Sequence, residues 1–205
     1  MNHRISLVLH REDHGTDELG RIFLGDEERA GSLKRIERYL GPHTRLRSAE
    51  LDDDILIVEA DVRAFPAESR ALLRQGRETA GKRQPRATLG HYEEALKLSP
   101  WDPDALKALG RLYYRNRQAE AARRLLVRAR EVAPGDGDVL ALLAEIALHA
   151  GRRLTARGYL ETLQRVDPSN QRARSALARL RPEEEKEIRR ELRERADPPG
   201  DEGAE

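Results

Sequence analysis

The sequence predicts a mainly helical fold: a solenoid of three stacked helical hairpins with a C-terminal capping helix, preceded by a small α+β domain. The first supporting observation is a period, because Pro66, Pro100, Pro134 and Pro168 stand 34 residues apart. Such a period is typical of a solenoid whose units bury their apolar faces only against one another. The second is composition. Without cysteine and with only 4% aromatic residues, the core must come from Leu and Ala, which favours thin helical layers.

Residues 1–64 are predicted to form the α+β domain, in the order strand, helix, helix, strand. Residues 4–10 and 54–61 are β-branched and aliphatic runs that indicate strands. Residues 17–24 and 27–40 carry apolar side chains at helical spacing, and the stretch after them is interpreted as a polar connection. A unit of about 60 residues is near the lower limit for independent folding, so we expect it to pack against the first repeat.

This order of elements, together with the sequence of residues 17–26, has a faint similarity to the lysin-motif family, which binds glycan chains in cell walls. The family usually begins with Gly-Asp-Thr, where this chain has Gly15-Thr16-Asp17, and its Ile-Pro ending is absent here. The similarity implies an alternative function, in which the N-terminal domain binds peptidoglycan and the repeats recruit partners.

The helical repeats begin after residue 66, and each is predicted to contain two amphipathic helices. They are assigned to residues 69–102, 103–136 and 137–170, with a partial fourth at 171–181. Asp102, Asp136 and Asn170 recur where an N-cap side chain would accept bonds from free backbone amides. Pro103 then suits the first position of a helix.

Small and apolar residues recur at the same period, with Gly76, Gly110 and Ala144 placed where the two helices of a hairpin approach closely. One full repeat carries the pattern Leu106, Leu109, Gly110, Tyr113, Ala122, Leu126, Ala129 and Pro134. This pattern closely resembles the tetratricopeptide repeat. The resemblance covers about half of the chain and implies a protein-interaction scaffold.

In tetratricopeptide arrays the first helix of each repeat lines the concave face, and the resemblance places a set of side chains of this chain there. They are Arg70, Arg74, Arg77, Lys107, Arg111, Tyr114, Arg115, Glu145, Leu148, His149, Arg172 and Arg179. Within each helix these positions recur at intervals of three, four or seven residues and share a face. A row of guanidinium groups binds carboxylates through paired hydrogen bonds. The resemblance therefore implies a groove that binds an acidic peptide or a protein C-terminus.

Net charge changes along the chain, with −4 for residues 1–66, +10 for 67–181 and −5 for 182–205. The basic array between acidic flanks is consistent with an acidic partner. Nucleic acid is disfavoured, since the array also carries thirteen acids and shows neither a recognition helix nor stacking aromatic residues. Leu73 and Arg77 stand where chaperone-binding members of the family have Lys and Asn, so heat-shock protein tails are not expected as ligands.

The C-terminal segment is divided into a charged capping helix at residues 182–196 and a disordered acidic tail at 197–205. The opposite charges lead to the hypothesis that residues 183–205 fold back over the basic groove and weaken binding there.

No catalytic, cofactor-binding or metal-binding arrangement is recognised, so the predicted protein is a non-enzymatic scaffold. His10 and His14 lie four residues apart with Asp13 between them, but the segment is interpreted as a solvated turn rather than a metal site. Tyr114 and Leu148 are expected to supply apolar contacts to a bound segment. The apolar run at the N-terminus is too short for a secretory or membrane segment, so a cytoplasmic location without membrane insertion is expected. A homo-oligomer remains an open alternative.

Overall fold

The protein consists of a small N-terminal domain and an array of helical hairpins. The computed structural model describes residues 2–14, 19–23, 29–41, 44–63 and 67–180. The predicted capping helix at 182–196 and the predicted tail at 197–205 lie outside the described residues, and so do residues 15–18.

The N-terminal domain combines a three-stranded antiparallel sheet with helices. Its elements are β1 (Asn2–His10), α1 (Arg11–His14), α2 (Gly20–Phe23), α3 (Arg29–Leu40), β2 (Thr44–Asp52) and β3 (Ile55–Arg63). The strand order is β1-β3-β2, so β3 is central. Because successive strand residues point to opposite faces, Leu7, Leu9, Leu56 and Val58 share one face, where they are buried with Leu40 of α3.

β2 departs from the predicted order of strand, helix, helix, strand. The sequence predicts a polar connection here, because Thr44–Asp52 has no regular alternation of apolar and polar residues. In the structure most of its side chains are exposed. The stretch is a strand because its backbone pairs with β3, from Thr44 opposite Val62 to Asp52 opposite Ile55. An edge strand with charged side chains needs no continuous apolar face. The additional strand also departs from the order on which the lysin-motif similarity rests.

The repeat array has the predicted hairpins, in which α4 packs on α5, α6 on α7 and α8 on α9. The helices are α4 (Ala67–Gly81), α5 (Pro85–Leu98), α6 (Pro103–Arg115), α7 (Ala119–Val132), α8 (Gly137–His149) and α9 (Arg153–Val166). Residues 171–180 form a further helix, α10. Within the described residues, no helix is long and apolar enough to cross a membrane.

The predicted N-caps are present at the starts of α6 and α8. The Asp102 carboxylate accepts hydrogen bonds from the Asp104 and Ala105 amides at 2.9 and 3.2 Å. Asp136 does the same for the Asp138 and Val139 amides at 3.0 and 3.1 Å. Because each side chain satisfies amides that lack a partner in the first helical turn, these residues fix where the first helix of a repeat begins.

Glycine occurs where the two helices of a hairpin come closest. A Cβ atom added at Gly76 would lie 2.3 Å from the Tyr92 ring, and one added at Gly110 would lie 2.8 Å from Leu126 Cγ. The predicted close approach in these two hairpins is therefore present. It brings α4 onto α5 and α6 onto α7 with no room for a side chain between them.

The N-terminal domain contacts α7 of the second repeat and also encloses Trp101 from the end of the first, the repeat on which it was expected to pack. β1 contacts α7, and Trp101, from the turn between α5 and α6, has 0% exposure within the core of the N-terminal domain. The Trp101 indole N–H donates to the Leu40 carbonyl at 3.1 Å. The Arg128 guanidinium lies 4.5 Å from the centre of the indole ring. Trp101 therefore joins the array to the domain.

Glu131 of α7 is completely buried at this junction. One of its carboxylate oxygens lies 2.8 Å from His14 Nε2, and the Tyr39 hydroxyl lies 2.9 and 2.7 Å from the two oxygens. The expected solvated turn is therefore wrong for His14, which is only 3% exposed. His14 is buried because α7 covers it. Its contact with Glu131 joins residues that are 117 positions apart in the sequence.

The neighbouring Arg130 is buried at the same junction and pairs with Asp13. The other Asp13 oxygen accepts a hydrogen bond from the Tyr159 hydroxyl at 2.6 Å, and the Arg130 guanidinium lies 5.1 Å from the centre of the Tyr159 ring. Because an unpaired buried charge is costly, this network requires the domain and the array to stay together.

Candidate functional site

The first helices of the hairpins form the surface predicted to bind a partner. α6 contacts α8 directly. α4, α5 and α6 together line a cavity of about 250 Å³, here called the groove cavity. Its lining residues are Arg77, Ala80, Thr88, Tyr92, Asp104, Lys107, Ala108, Arg111, Leu112 and Arg115. Four of these are cations and one is an acid, so the cavity is basic, with apolar walls between the charges.

Three of the predicted groove cations are held in ion pairs with acids at the N-cap or in the first turn of the next first helix. Arg77 lies 3.6 Å from Asp104, and Arg111 lies 3.4 Å from Asp138. Both pairs are largely exposed, and exposed pairs contribute only about 0–1 kcal/mol to stability. The predicted wall of open guanidinium groups is therefore a surface in which cations and acids alternate.

Lys107 forms the tightest of these pairs, with its Nζ atom 2.6 Å from Asp136 Oδ2. Burial alone would raise the pKa of Asp136, but the Lys107 ammonium and the amides of Val139 and Asp138 outweigh it, and the pKa lies below its usual value. Asp102 occupies the equivalent position one repeat earlier. There, burial raises the pKa above its usual value.

The acids that pair with the groove cations were missed in the sequence, although the period could have found them. Arg77 with Asp104 and Arg111 with Asp138 are the same pair of positions, shifted by 34 residues. The next shift gives Glu145 and Arg172, where the signs are exchanged. A search for complementary charges at this fixed offset would have shown that the groove positions are paired between repeats.

Tyr114 and His149 come together farther along the surface. Their rings stack with centres 6.1 Å apart, and the Tyr114 hydroxyl lies 2.8 Å from His149 Nδ1. Burial and the nearby Glu145 carboxylate raise the pKa of Tyr114 to about 12. Leu148 on the same helix is 37% exposed. This cluster of predicted residues can offer aromatic and apolar contacts beside the basic cavity.

Four of the remaining predicted residues are not part of the groove cavity, whereas Arg115 is. Arg70, Arg74, Arg172 and Arg179 are exposed, and none of them forms an ion pair within the described part of the chain. Arg115 lines the cavity and also has no ion-pair partner among the described residues. It is therefore a cavity cation that is available to a ligand without breaking a contact.

Other site chemistries find little support in the part of the chain that the structure describes. No group of three or more His, Asp or Glu side chains there could hold a metal ion. Leu73, which stands at a position used by the chaperone-binding clamp in the resembled family, is buried in the core beside Tyr92. That position therefore has no polar group to offer a carboxylate.

Helical hairpins that stack on one another along the chain define an α-solenoid. The family model of the tetratricopeptide repeat matches residues 72–146 and 118–180, which together span more than half of the chain. The chain therefore belongs to the tetratricopeptide repeat family. No curated protein matches the sequence.

Solved structures share the fold of the array at low sequence identity. The type III secretion chaperone SycD of Yersinia enterocolitica, in complex with a peptide of the translocator YopD, has a TM-score of 0.52 at 14% identity, over 56% of this chain and 93% of that one. The second such domain of human RPAP3, in complex with an HSP70 peptide, has a TM-score of 0.51 at 13% identity, over 56% and 95%.

An enzyme is also among the similar structures. The O-GlcNAc transferase of Thermobaculum terrenum has a TM-score of 0.50 at 24% identity, over 56% of this chain but only 22% of the enzyme. The shared part is again the helical array. Tetratricopeptide repeats are in general a protein-interaction fold, which some enzymes also contain.

Proposed function

We propose that the protein is a non-enzymatic scaffold whose groove cavity binds an acidic segment or the C-terminus of a partner protein. The observation that carries this proposal is the basic lining of the cavity, where Arg77, Lys107, Arg111 and Arg115 surround a single acid. The peptide complexes of SycD and RPAP3 add support, since in both a domain of this fold holds a peptide.

The cations of the cavity differ in the existing ion pair that each must break to bind a ligand carboxylate. Arg115 has no ion-pair partner among the described residues, and the pairs of Arg77 and Arg111 are long and exposed. A ligand carboxylate can replace Asp104 or Asp138 as partner because exposed pairs are weak. Lys107 stays with Asp136, so its role is to shape the floor of the cavity.

The cluster of Tyr114, His149 and Leu148 would bind an apolar or aromatic side chain of the same segment. Apolar anchors supply most of the affinity at peptide interfaces, and charge complementarity mainly sets the association rate and the specificity. The proposed ligand therefore combines acidic residues with at least one large apolar residue.

Binding of a short fluorescent peptide of glutamates with one leucine, followed by anisotropy, tests the basic part of the site. The double variant Arg111→Ala with Arg115→Ala should bind at least about tenfold more weakly, since even one lost hydrogen bond to a charged group costs about 1.5 kcal/mol or more. The matched control is Arg124→Ala with Arg165→Ala, two exposed arginines on the outer helices. Equal losses in the two double variants, or no binding by the wild type, would reject the acidic ligand.

The alternative function, attachment to glycans through the N-terminal domain, is tested by sedimenting the full chain with insoluble peptidoglycan. The full chain is required because Trp101 from the array completes the core of that domain. Co-sedimentation that survives Arg111→Ala with Arg115→Ala would favour the glycan function over the peptide groove.

A further inference from the structure

The turns inside the three hairpins lie along one edge of the array. Neighbouring turns are close: Arg152 lies 3.5 Å from Glu120, which follows the preceding turn, and Ala80 and Arg115 at the ends of α4 and α6 line one cavity. Every turn carries exposed cations. These define the basic edge: Lys82, Arg83, Arg86, Arg117, Arg152 and Arg153.

The basic edge is poorly neutralised by the rest of the chain. Lys82, Arg83, Arg86 and Arg117 have no ion-pair partner within the described residues, whereas Arg77, Lys107 and Arg111 of the groove cavity are paired. No acid occurs in the three turns themselves, whereas the turns between hairpins, at 99–104 and 133–138, carry four acids and neither Lys nor Arg. The two edges of the array therefore differ in sign, and the basic one attracts a polyanion.

The chain leaves the array at this same edge. First helices of the hairpins run from the acidic edge to the basic edge, and α10 is the first helix of the partial fourth repeat. Leu180 at its end is 34 residues after Ile146, which lies one turn before the end of α8. Both are buried in one apolar cluster. Leu180, the last described residue, therefore lies on the side of the array that holds the turn with Arg152 and Arg153.

We propose that residues 183–205 of the same molecule occupy the basic edge. The segment carries ten acids and five cations, a net charge of −5, against the six cations of the edge. Its 23 residues could span up to about 70 Å when extended, whereas three hairpins at helix-packing distances of about 10 Å need far less. Because the segment is tethered, its effective concentration at the edge is in the millimolar range.

This assignment differs from the hypothesis that the segment covers the groove. Charge alone does not separate the two surfaces, but three of the four cations of the groove cavity are already paired. The turn with Arg152 and Arg153 also lies close to the end of α10. An occupied edge would shield the array from other polyanions and leave the groove cavity open to a partner.

Carbodiimide crosslinking, which joins a carboxylate directly to an amine, locates the segment because lysine is rare in this chain. Outside the segment the lysines are Lys34, Lys82, Lys97 and Lys107. The full chain is crosslinked at low protein concentration, the monomer is isolated, and mass spectrometry identifies the partners of the acids in 183–205. We expect Lys82 to be joined several times more often than Lys34 or Lys97, both of which are also exposed.

Variants place an amine at further positions without changing the charge. Arg117→Lys lies on the edge, in the turn before α7. Arg124→Lys is its exposed control on α7, and Arg111→Lys reports on the groove. The proposal is supported if crosslinks form at position 117 but not at 124 or 111. These crosslinks should be lost at about 1 M salt, because charges are then screened beyond about 3 Å. Crosslinks at position 111 or Lys107 instead, equal yields at all lysines, crosslinks only in dimers, or none at all overturn it.

Discussion

At the scale of single residues, Asp102 and Asp136 show how one neighbour reverses the electrostatics of equivalent positions. Both are N-caps, and both are partly shielded from water. Lys107 approaches Asp136 to 2.6 Å, and the pKa of Asp136 is lowered, whereas Asp102 has no cation in contact within the described residues and burial raises its pKa. Ionisation of Asp136 therefore stabilises the fold, and ionisation of Asp102 opposes it.

The substitution Asp136→Asn should lower the free energy of unfolding by about 1 kcal/mol at neutral pH, because the amide keeps the cap but loses the charge that binds Lys107. Asp102→Asn should cause no loss, since it keeps the cap and removes a carboxylate that is unfavourably buried. Urea unfolding at pH 7 measures both. Equal losses for the two variants would show that the caps, and not Lys107, decide the difference.

The pH dependence of the two variants should have opposite signs. A lowered folded-state pKa gives Asp136 a contribution that is complete above the unfolded value of 3.8 and is lost as the pH falls through the folded value. The gap between wild type and Asp136→Asn should therefore close in acid. Because the folded-state pKa of Asp102 is raised, the wild type should gain stability relative to Asp102→Asn as the pH falls from 7 toward 4.

At the scale of elements, the hairpins depend on the absence of side chains at two glycines. Gly110→Ala should destabilise the array by about 1–3 kcal/mol, because its Cβ would lie 2.8 Å from Leu126 Cγ in a packed core. Gly90→Ala is the matched control in the middle of α5, where an added Cβ meets nothing within 4 Å. It should stabilise by about 0.5–1 kcal/mol because alanine favours the helix.

Thermal unfolding followed by circular dichroism compares the two glycine variants. The prediction requires the midpoints to move in opposite directions from the wild type. A fall in both midpoints would mean that α5 does not tolerate a side chain at position 90, and a rise in both would mean that Leu126 moves aside at little cost.

The sequence predicts most elements of the array because their signals are local. Apolar spacing, the N-cap carboxylates and the prolines fall within one repeat, so the helix bounds can be derived from the period. β2 could not be predicted in this way, since an exposed edge strand is defined by pairing with β3 rather than by its own pattern. The junction of domain and array was equally hidden: the contact of Asp13 with Tyr159 spans 146 residues, and nothing in either sequence segment specifies the other.

At the scale of the whole molecule, the N-terminal domain and the array should unfold together. Trp101, the only tryptophan in the chain, is completely buried at their junction and reports on it by fluorescence, whereas circular dichroism reports mainly on the helices of the array. In the wild type the two urea transitions should coincide, as expected when two probes follow one cooperative process.

Glu131→Ala should separate these two transitions. The variant leaves His14 and Tyr39 without their shared carboxylate in a buried site, which costs about 3 kcal/mol or more at the junction, while the array keeps its own core. The Trp101 transition should then move to lower urea than the helical one. Glu120→Ala, an exposed acid on the same helix, should move neither transition. If Glu131→Ala does not fold, Tyr39→Phe is the milder variant, because it removes only the hydroxyl. It should destabilise the Trp101 transition in the same direction by about 1 kcal/mol. Coincident transitions in both variants would show that the junction is not held by Glu131.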